Sequence, residues 1–212
     1  MFITFEGIEG SGKGVQIAHA EAYLAARGRN CLVTREPGGT DFGAAVRQVL
    51  LRTGGAPREP MSELLLYLSD RYQHLRQVVE PALGRGIIVL SDRYHDATLA
   101  YQGAARGIPI QKIRTLARLL EIRDPDGTIL LDLDPEIGLA RARSRNEADA
   151  AAGREGRFEA EALSFHRAVR EAYLDLARGS PGRIRVVSAL GSPDEVFARI
   201  APVLDDWVGN AS

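Results

Sequence analysis

The stretch from Phe2 to Gln16, F-I-T-F-E-G-I-E-G-S-G-K-G-V-Q, constrains this chain more than any other. An apolar run (Phe2 to Phe5), a glycine-rich turn and the start of a helical pattern follow one another directly. Gly7, Gly10, Gly12 and Lys13 fit G-x-x-x-x-G-K, the phosphate-binding loop. Glycine lets the backbone take conformations closed to other residues, so that the N–H groups from Gly7 through Ile8, Glu9, Gly10, Ser11 and Gly12 can point at phosphate oxygens. A helix beginning near Lys13 adds the positive end of its dipole, and Lys13 itself a mobile charge. One position departs from the pattern. The Ser or Thr that ligates a metal is replaced by Gly14, and Val15 has no hydroxyl either, which leaves the metal to phosphates, water and a carboxylate.

Such a strand–loop–helix opens an α/β sheet, and 212 residues suit one domain of that kind, residues 1–212. A net charge of -1 gives no general attraction to nucleic acid or to an anionic membrane, so neither is expected as a partner. No apolar run approaches the roughly 18 residues of a membrane span. The N-terminus enters a strand with no basic region or cleavage site, and the single cysteine, Cys31, is expected as a buried small apolar residue. These features together predict a cytoplasmic protein.

Along the chain, helical and strand patterns alternate. Val15 to Ala26 reads as a helix and Asn30 to Thr34 as a strand, followed by the turn Arg35-Glu36-Pro37-Gly38-Gly39-Thr40. A charged pair at the carboxyl end of a parallel strand is where open α/β sheets bind ligands, although a solvated turn reads the same locally. Asp41 to Leu51 and Met61 to Leu83 are helical. Tyr67 and Arg71, four apart, project from one side of the second. They suit either a planar base or a core tyrosine beside a surface arginine, and the local pattern favours the latter. Gly86 to Ser91 is a continuous apolar run, the mark of a buried strand, and ends in Asp92-Arg93. Asp92 suits a metal or the N-cap of the helix that follows; the planar fork of Arg93 suits phosphate.

A helix closing at Tyr101, Gln102 and Gly103 comes next, then a helix from Ile110, a buried strand (Thr128 to Asp132) and a helix opened by Pro135. Arg141, Arg143, Arg145, Arg154 and Arg157 flank a segment of small residues. This is a solvated loop or a mobile lid, at about 143–158, that would carry arginines over phosphates. A helix, a strand (Arg183 to Ser188) and a last amphipathic helix complete the chain. The β-α order implies a parallel sheet of about five strands with helices on both faces.

The phosphate-seeking elements, with Arg35 and Arg47 as a second anionic subsite, suggest ATP and a phosphorylated acceptor. A phosphate monoester needs no base, so catalysis reduces to positioning and charge neutralisation. From the residues alone this is a nucleotide-type kinase of unknown acceptor, or a nucleotide-binding module without turnover.

F-E-G-I-E-G-S-G-K at Phe5, T-R-E-P-G-G-T at Thr34, L-Y-L-S-D-R at Leu66, S-D-R-Y at Ser91 and A-Y-Q-G at Ala100 together resemble thymidylate kinase over nearly the whole chain. The resemblance implies a P-loop nucleoside-monophosphate-kinase-like three-layer fold with a five-stranded parallel sheet. It also implies transfer of the γ-phosphate of ATP to dTMP, with Mg²⁺, by a homodimer. Carried over residue by residue, Lys13 and the loop amides bind the ATP phosphates, and Glu9 faces the deoxyribose 3′-hydroxyl. Tyr67 stacks on the base (Phe is usual there), Arg71 bonds a base carbonyl, and Thr98 and Gln102 contact the base. The ring of Tyr101 disfavours a ribose 2′-hydroxyl. Arg47 and Arg93 bind the acceptor phosphate, while Asp92 and Glu36 lie near metal and phosphates. The lid resembles the bacterial kind, with Arg157 as its catalytic charge and Arg145 packing on adenine. Adenylate kinases, which also have G-K-G, leave the metal largely to water and phosphates.

Overall fold

The computed structural model describes residues 1–53, 58–148 and 156–209. Its five strands, β1 (Phe2–Glu6), β2 (Cys31–Arg35), β3 (Ile88–Asp92), β4 (Gly127–Asp132) and β5 (Ile184–Ser188), form one parallel sheet in the order β2-β3-β1-β4-β5. Phe2, Ile3 and Phe5 are closed to solvent, as a central strand requires. β2 forms an edge, and Cys31 on it is only partly buried. An edge strand is covered on fewer sides than a central one, which corrects the expectation of a buried thiol.

Helices α1 (Lys13–Ala25), α2 (Asp41–Leu51) and α3 (Pro60–His74) follow β1 and β2. A π-helical segment (Leu75–Val79) joins α3 to α4 (Glu80–Gly84), so the expected long helix exists but is widened before Pro81. Proline has no N–H and clashes with the preceding turn, and a widened turn relieves both demands. After β3 come the short α5 (His95–Thr98), a second π segment (Leu99–Ala105) and α6 (Ile110–Leu119). α7 (Pro135–Ala148), a 3₁₀ turn (Phe158–Ala160), α8 (Leu163–Gly179) and α9 (Pro193–Gly209) complete the chain. α1 packs on α9, α8 packs on the Leu99–Ala105 segment, and helices cover both faces of the sheet. Part of the expected lid, with Arg154, lies outside the described residues.

Sheet order positions the site. The chain leaves β1 toward β2 and β3 on one side, then crosses to β4 and β5 on the other. The crevice beyond the carboxyl ends of β1 and β3 is therefore the switch point, where ligands of open α/β sheets bind. Phe5 pairs with Asp92, so the glycine loop and the Asp92-Arg93 turn leave the sheet side by side.

Candidate active site

The loop after β1 has the backbone its glycines permit. Gly7, Gly10 and Gly12 all have positive φ, and Gly12 is the N-cap of α1 with no side-chain cap. The loop rests on α7: a Cβ on Gly10 would lie 2.0 Å from the carbonyl oxygen of Gly138. Lys13 is folded back into the loop, donating to the carbonyls of Gly7 and Ile8 at 3.1 Å each, with Ser11 Oγ at 3.5 Å. Burial, with the charge of Arg93 beside it, pushes its ammonium down to about 8, against the pull of Asp92 and Glu9.

Opposite the loop, Arg93 has a φ of 69°. Its guanidinium donates to Gly7 O at 3.0 Å and to Glu9 Oε1 at 2.9 Å. Tyr101 donates to the same Glu9 oxygen at 2.6 Å. Burial works to raise the Glu9 carboxyl, but Arg93, His166, Lys13 and Tyr101 together outweigh it, holding the carboxyl down to about 2. The other oxygen, Oε2, lies 3.2 Å from His166 Nδ1, yet neither atom has a hydrogen-bond partner.

The turn after β2 is braced against α3. Glu36 Oε2 accepts from Arg71 Nε at 2.7 Å, and Glu36 Oε1 lies 2.8 Å from His74 Nδ1. Asp70 Oδ1 accepts from the amide of Gly38 at 3.1 Å, and burial, with the Glu36 charge nearby, pushes the Asp70 carboxyl up to about 6. Arg71 also donates to Thr98 Oγ1 at 2.8 Å and to the Tyr94 carbonyl at 2.9 Å. It is closed to solvent, the reverse of the surface arginine its local pattern favours. Arg47 donates to the carbonyl of Pro37 at 2.9 Å.

These elements enclose one cavity of about 280 Å³. Glu9, Gly10, Lys13, Asp92 and Arg93 line it, as do Glu36, Arg47, Tyr67, Arg71, Thr98, Tyr101 and Gln102, together with Arg145 and Glu159. Arg145 pairs with Glu159 at 3.1 Å. Arg157 does not line this cavity. It pairs with Glu63 on α3 and donates to the carbonyl of Leu50 at 3.0 Å, away from the glycine loop. Glu63 also accepts from Gln102 at 2.9 Å, linking Arg157 to the cavity wall.

A second cavity, about 370 Å³, opens where Gly14, Thr34, Arg35, Gly39 and Asp92 meet. Asp92 Oδ1 is buried without a hydrogen-bond partner. The helix after it has Tyr94 at its N-cap and no side-chain cap, so Asp92 does not cap it. A carboxylate oxygen free at this place suits a hydrated cation held mainly by phosphates. Among the described residues no group of three or more His, Cys, Asp or Glu could hold a metal by itself.

Several residues of this site escape local pattern. Asp70 and His74 flank Arg71 on α3, and their spacing of four with one another is the signal that could have grouped them with it. His166 and Glu63 give no such signal, because their partners Glu9, Gln102 and Arg157 are remote in the chain.

A glycine loop with its lysine, and Arg47, Arg71 and Arg93 lining the same cavity, at the switch point of a five-stranded parallel sheet, define the class. This is a P-loop nucleoside monophosphate kinase, an ATP-dependent phosphotransferase. A family model for thymidylate kinase matches residues 5–200. A thymidylate kinase of Syntrophotalea carbinolica is 51% identical over 200 residues, 94% of this chain and 92% of that protein. One of Oleidesulfovibrio alaskensis is 47% identical over 208 residues, 97% of this chain and 98% of that protein. The crystal structure of thymidylate kinase from Ehrlichia chaffeensis superposes with a TM-score of 0.77 at 31% identity, covering 96% of this chain and 98% of that one. The chain belongs to the thymidylate kinase family.

Proposed function

We propose that this enzyme transfers the γ-phosphoryl group of ATP to dTMP, giving dTDP and ADP for dTTP biosynthesis. The observation that carries the reading is that Tyr67, Arg71, Thr98 and Gln102 line the same cavity as Lys13 and Arg93. A planar base between the former leaves its 5′-phosphate toward the latter. Glu9 takes the sugar 3′-hydroxyl, and the ring of Tyr101 leaves no room for a 2′-hydroxyl. Arg47 and Arg93 hold the acceptor phosphate, and Glu36 holds Arg71.

An oxygen of the acceptor phosphate, already ionised near neutral pH, attacks the γ-phosphorus. The bond from that phosphorus to the oxygen bridging to the β-phosphate breaks, and its electron pair leaves with ADP. No general base is needed, so the protein supplies alignment and positive charge. Lys13 and the loop amides, from Gly7 to Gly14, neutralise the donor phosphates. Asp92 would hold Mg²⁺, through water, and the ion would supply further charge neutralisation at the phosphates. The chain acts as one domain with a lid at about 143–158. Lid closure would take Arg157 from Glu63 to the phosphates and bring Arg145 to the adenine. The enzyme is cytoplasmic and pairs as a homodimer through one helical face. Phe42 and Val49 on α2, with Leu65 and Tyr72 on α3, are large apolar side chains left exposed. ADP release in a coupled assay, with dTMP, dUMP, AMP and no acceptor in parallel, tests the reading. Turnover with dTMP is expected; turnover with AMP in its place would overturn it.

A further inference from the structure

We infer that Glu6, which lines neither cavity, is the positioning residue that sets Arg93 for phosphoryl transfer, acting through Tyr94 on one carboxylate oxygen and Tyr173 on the other. The inference rests on the proposed role of Arg93 at the acceptor phosphate. Arg93 has a φ of 69°, a left-handed conformation that a side chain other than glycine disfavours and that its surroundings must hold in place. Three bonds fix that turn. The Arg93 amide donates to Phe5 O at 3.0 Å, Ser91 Oγ donates to Arg93 O at 2.8 Å, and the Tyr94 amide donates to Glu6 Oε1 at 2.8 Å. The last makes Glu6 the acceptor at the first residue after the strained position.

The second Glu6 oxygen reaches the guanidinium. Tyr173 donates its hydroxyl to Glu6 Oε2 at 2.7 Å, and Arg93 Nη1 donates to the Tyr173 oxygen at 3.3 Å. Glu6, the Tyr94 amide, Arg93 and Tyr173 thus close a ring that fixes both the backbone and the head group of Arg93. A carboxylate fully closed to solvent inside a central strand costs desolvation. What it organises here is the orientation of one arginine.

The ring is sensitive to the charge of Glu6. Around it stand Arg93 and Tyr94 from the turn after β3, Asp96 from α5, Tyr173 from α8, Lys13 from α1 and Arg183 just before β5. Arg183 is itself answered by Asp96 at 2.7 Å. Burial, then the Asp96 charge, pushes the Glu6 carboxyl up to about 7, against Arg93, the Tyr173 hydroxyl and the Tyr94 amide. Ionised Glu6 accepts both donors. Protonated Glu6 carries a hydrogen on one oxygen, so Tyr173 must reverse its bond and the ring loses its anion.

The test compares wild type, Glu6→Gln, Tyr173→Phe and the double variant in steady-state dTMP turnover between about pH 5.5 and 8.5, with ATP binding and thermal melting measured on each. We expect Glu6→Gln to lower kcat by roughly 10- to 100-fold while ATP affinity holds, since a misplaced catalytic group costs rate before binding. The ratio of wild-type to variant kcat rises with pH through about 7, a comparison in which the titration of dTMP itself cancels. The Tyr173→Phe loss is largely absorbed in the double variant. A flat ratio with unchanged kcat, or equal losses of ATP binding, stability and rate, overturns the inference. If Glu6→Gln does not fold, Tyr173→Phe alone decides, by whether kcat falls with ATP affinity kept. Absence of dTMP turnover in wild type would instead count against the acceptor reading.

Discussion

Arg71 and Glu36 form an ion pair at 2.7 Å with each side chain only 2% exposed, joining the last turn of α3 to the turn after β2. Removing one partner of such a pair strands the other charge out of water. Arg71→Ala therefore costs stability, roughly 3–5 kcal/mol, besides removing the contact proposed for the base. His74 remains against the other Glu36 oxygen and keeps part of that turn in place. Thermal melting should show the loss, and calorimetry should show ATP binding retained with dTMP binding gone. Unchanged dTMP affinity would remove Arg71 from the base pocket.

Lys13 couples nucleotide binding to a proton. Its folded value of about 8 lies below the ordinary 10.5, so folding favours the neutral amine and stability rises with pH between the two. Phosphates arriving against Nζ favour the ammonium instead. Above about pH 8, ATP binding should take up a proton, read by calorimetry in buffers of different ionisation heat. Lys13→Arg, charged throughout, should abolish the uptake. Equal heats in all buffers with the wild type would contradict this.

The opening strand, loop and helix are legible because their signals are local: apolar residues, glycines at fixed spacing and a lysine. The parallel sheet of about five strands follows from β-α alternation for the same reason, whereas its order, β2-β3-β1-β4-β5, depends on packing between elements remote in the chain. The inward charges are not legible. Glu6 and Tyr173 are 167 residues apart, and only the packing of α8 against the sheet brings them together. Arg71 reads as a surface residue because charge on a helix usually means solvent, and its partner Glu36 lies 35 residues away. Arg157 illustrates a different limit. A basic side chain near a lid reads as phosphate-seeking, yet a buried carboxylate on α3, Glu63, offers a competing partner in this structure.

Gly10 and Gly138 meet backbone to backbone, so a methyl group at position 10 has nowhere to go. Its Cβ would fall 2.0 Å from a carbonyl oxygen, at a φ of 73°. Gly10→Ala should destabilise by roughly 2–5 kcal/mol, from overpacking and left-handed strain together. Gly12 is the control, with a φ of 87° and nothing within 4 Å of its Cβ. Gly12→Ala should lose only about 1 kcal/mol, the strain alone. Chemical denaturation of the two variants separates the contributions. Equal losses would mean that the crossing of the loop over α7 contributes nothing to stability.

Gly14 is the position where this chain departs from the phosphate-loop pattern, and its surroundings leave room for the side chain it lacks. A Cβ there meets nothing within 4 Å, and the cavity it borders also contains Asp92. Gly14→Ser should therefore fold normally and add a hydroxyl facing the open space beside the donor phosphates. If Mg²⁺ is held by phosphates, water and Asp92 alone, that hydroxyl adds a ligand and lowers the Mg²⁺ concentration for half-maximal turnover by several-fold. Manganese binding to the nucleotide complex, followed by electron paramagnetic resonance, should tighten in parallel, which separates metal affinity from rate. A Mg²⁺ titration identical to wild type, with the variant folded and active, would mean that the loop hydroxyl has no part in holding the metal here and that Gly14 costs this enzyme nothing.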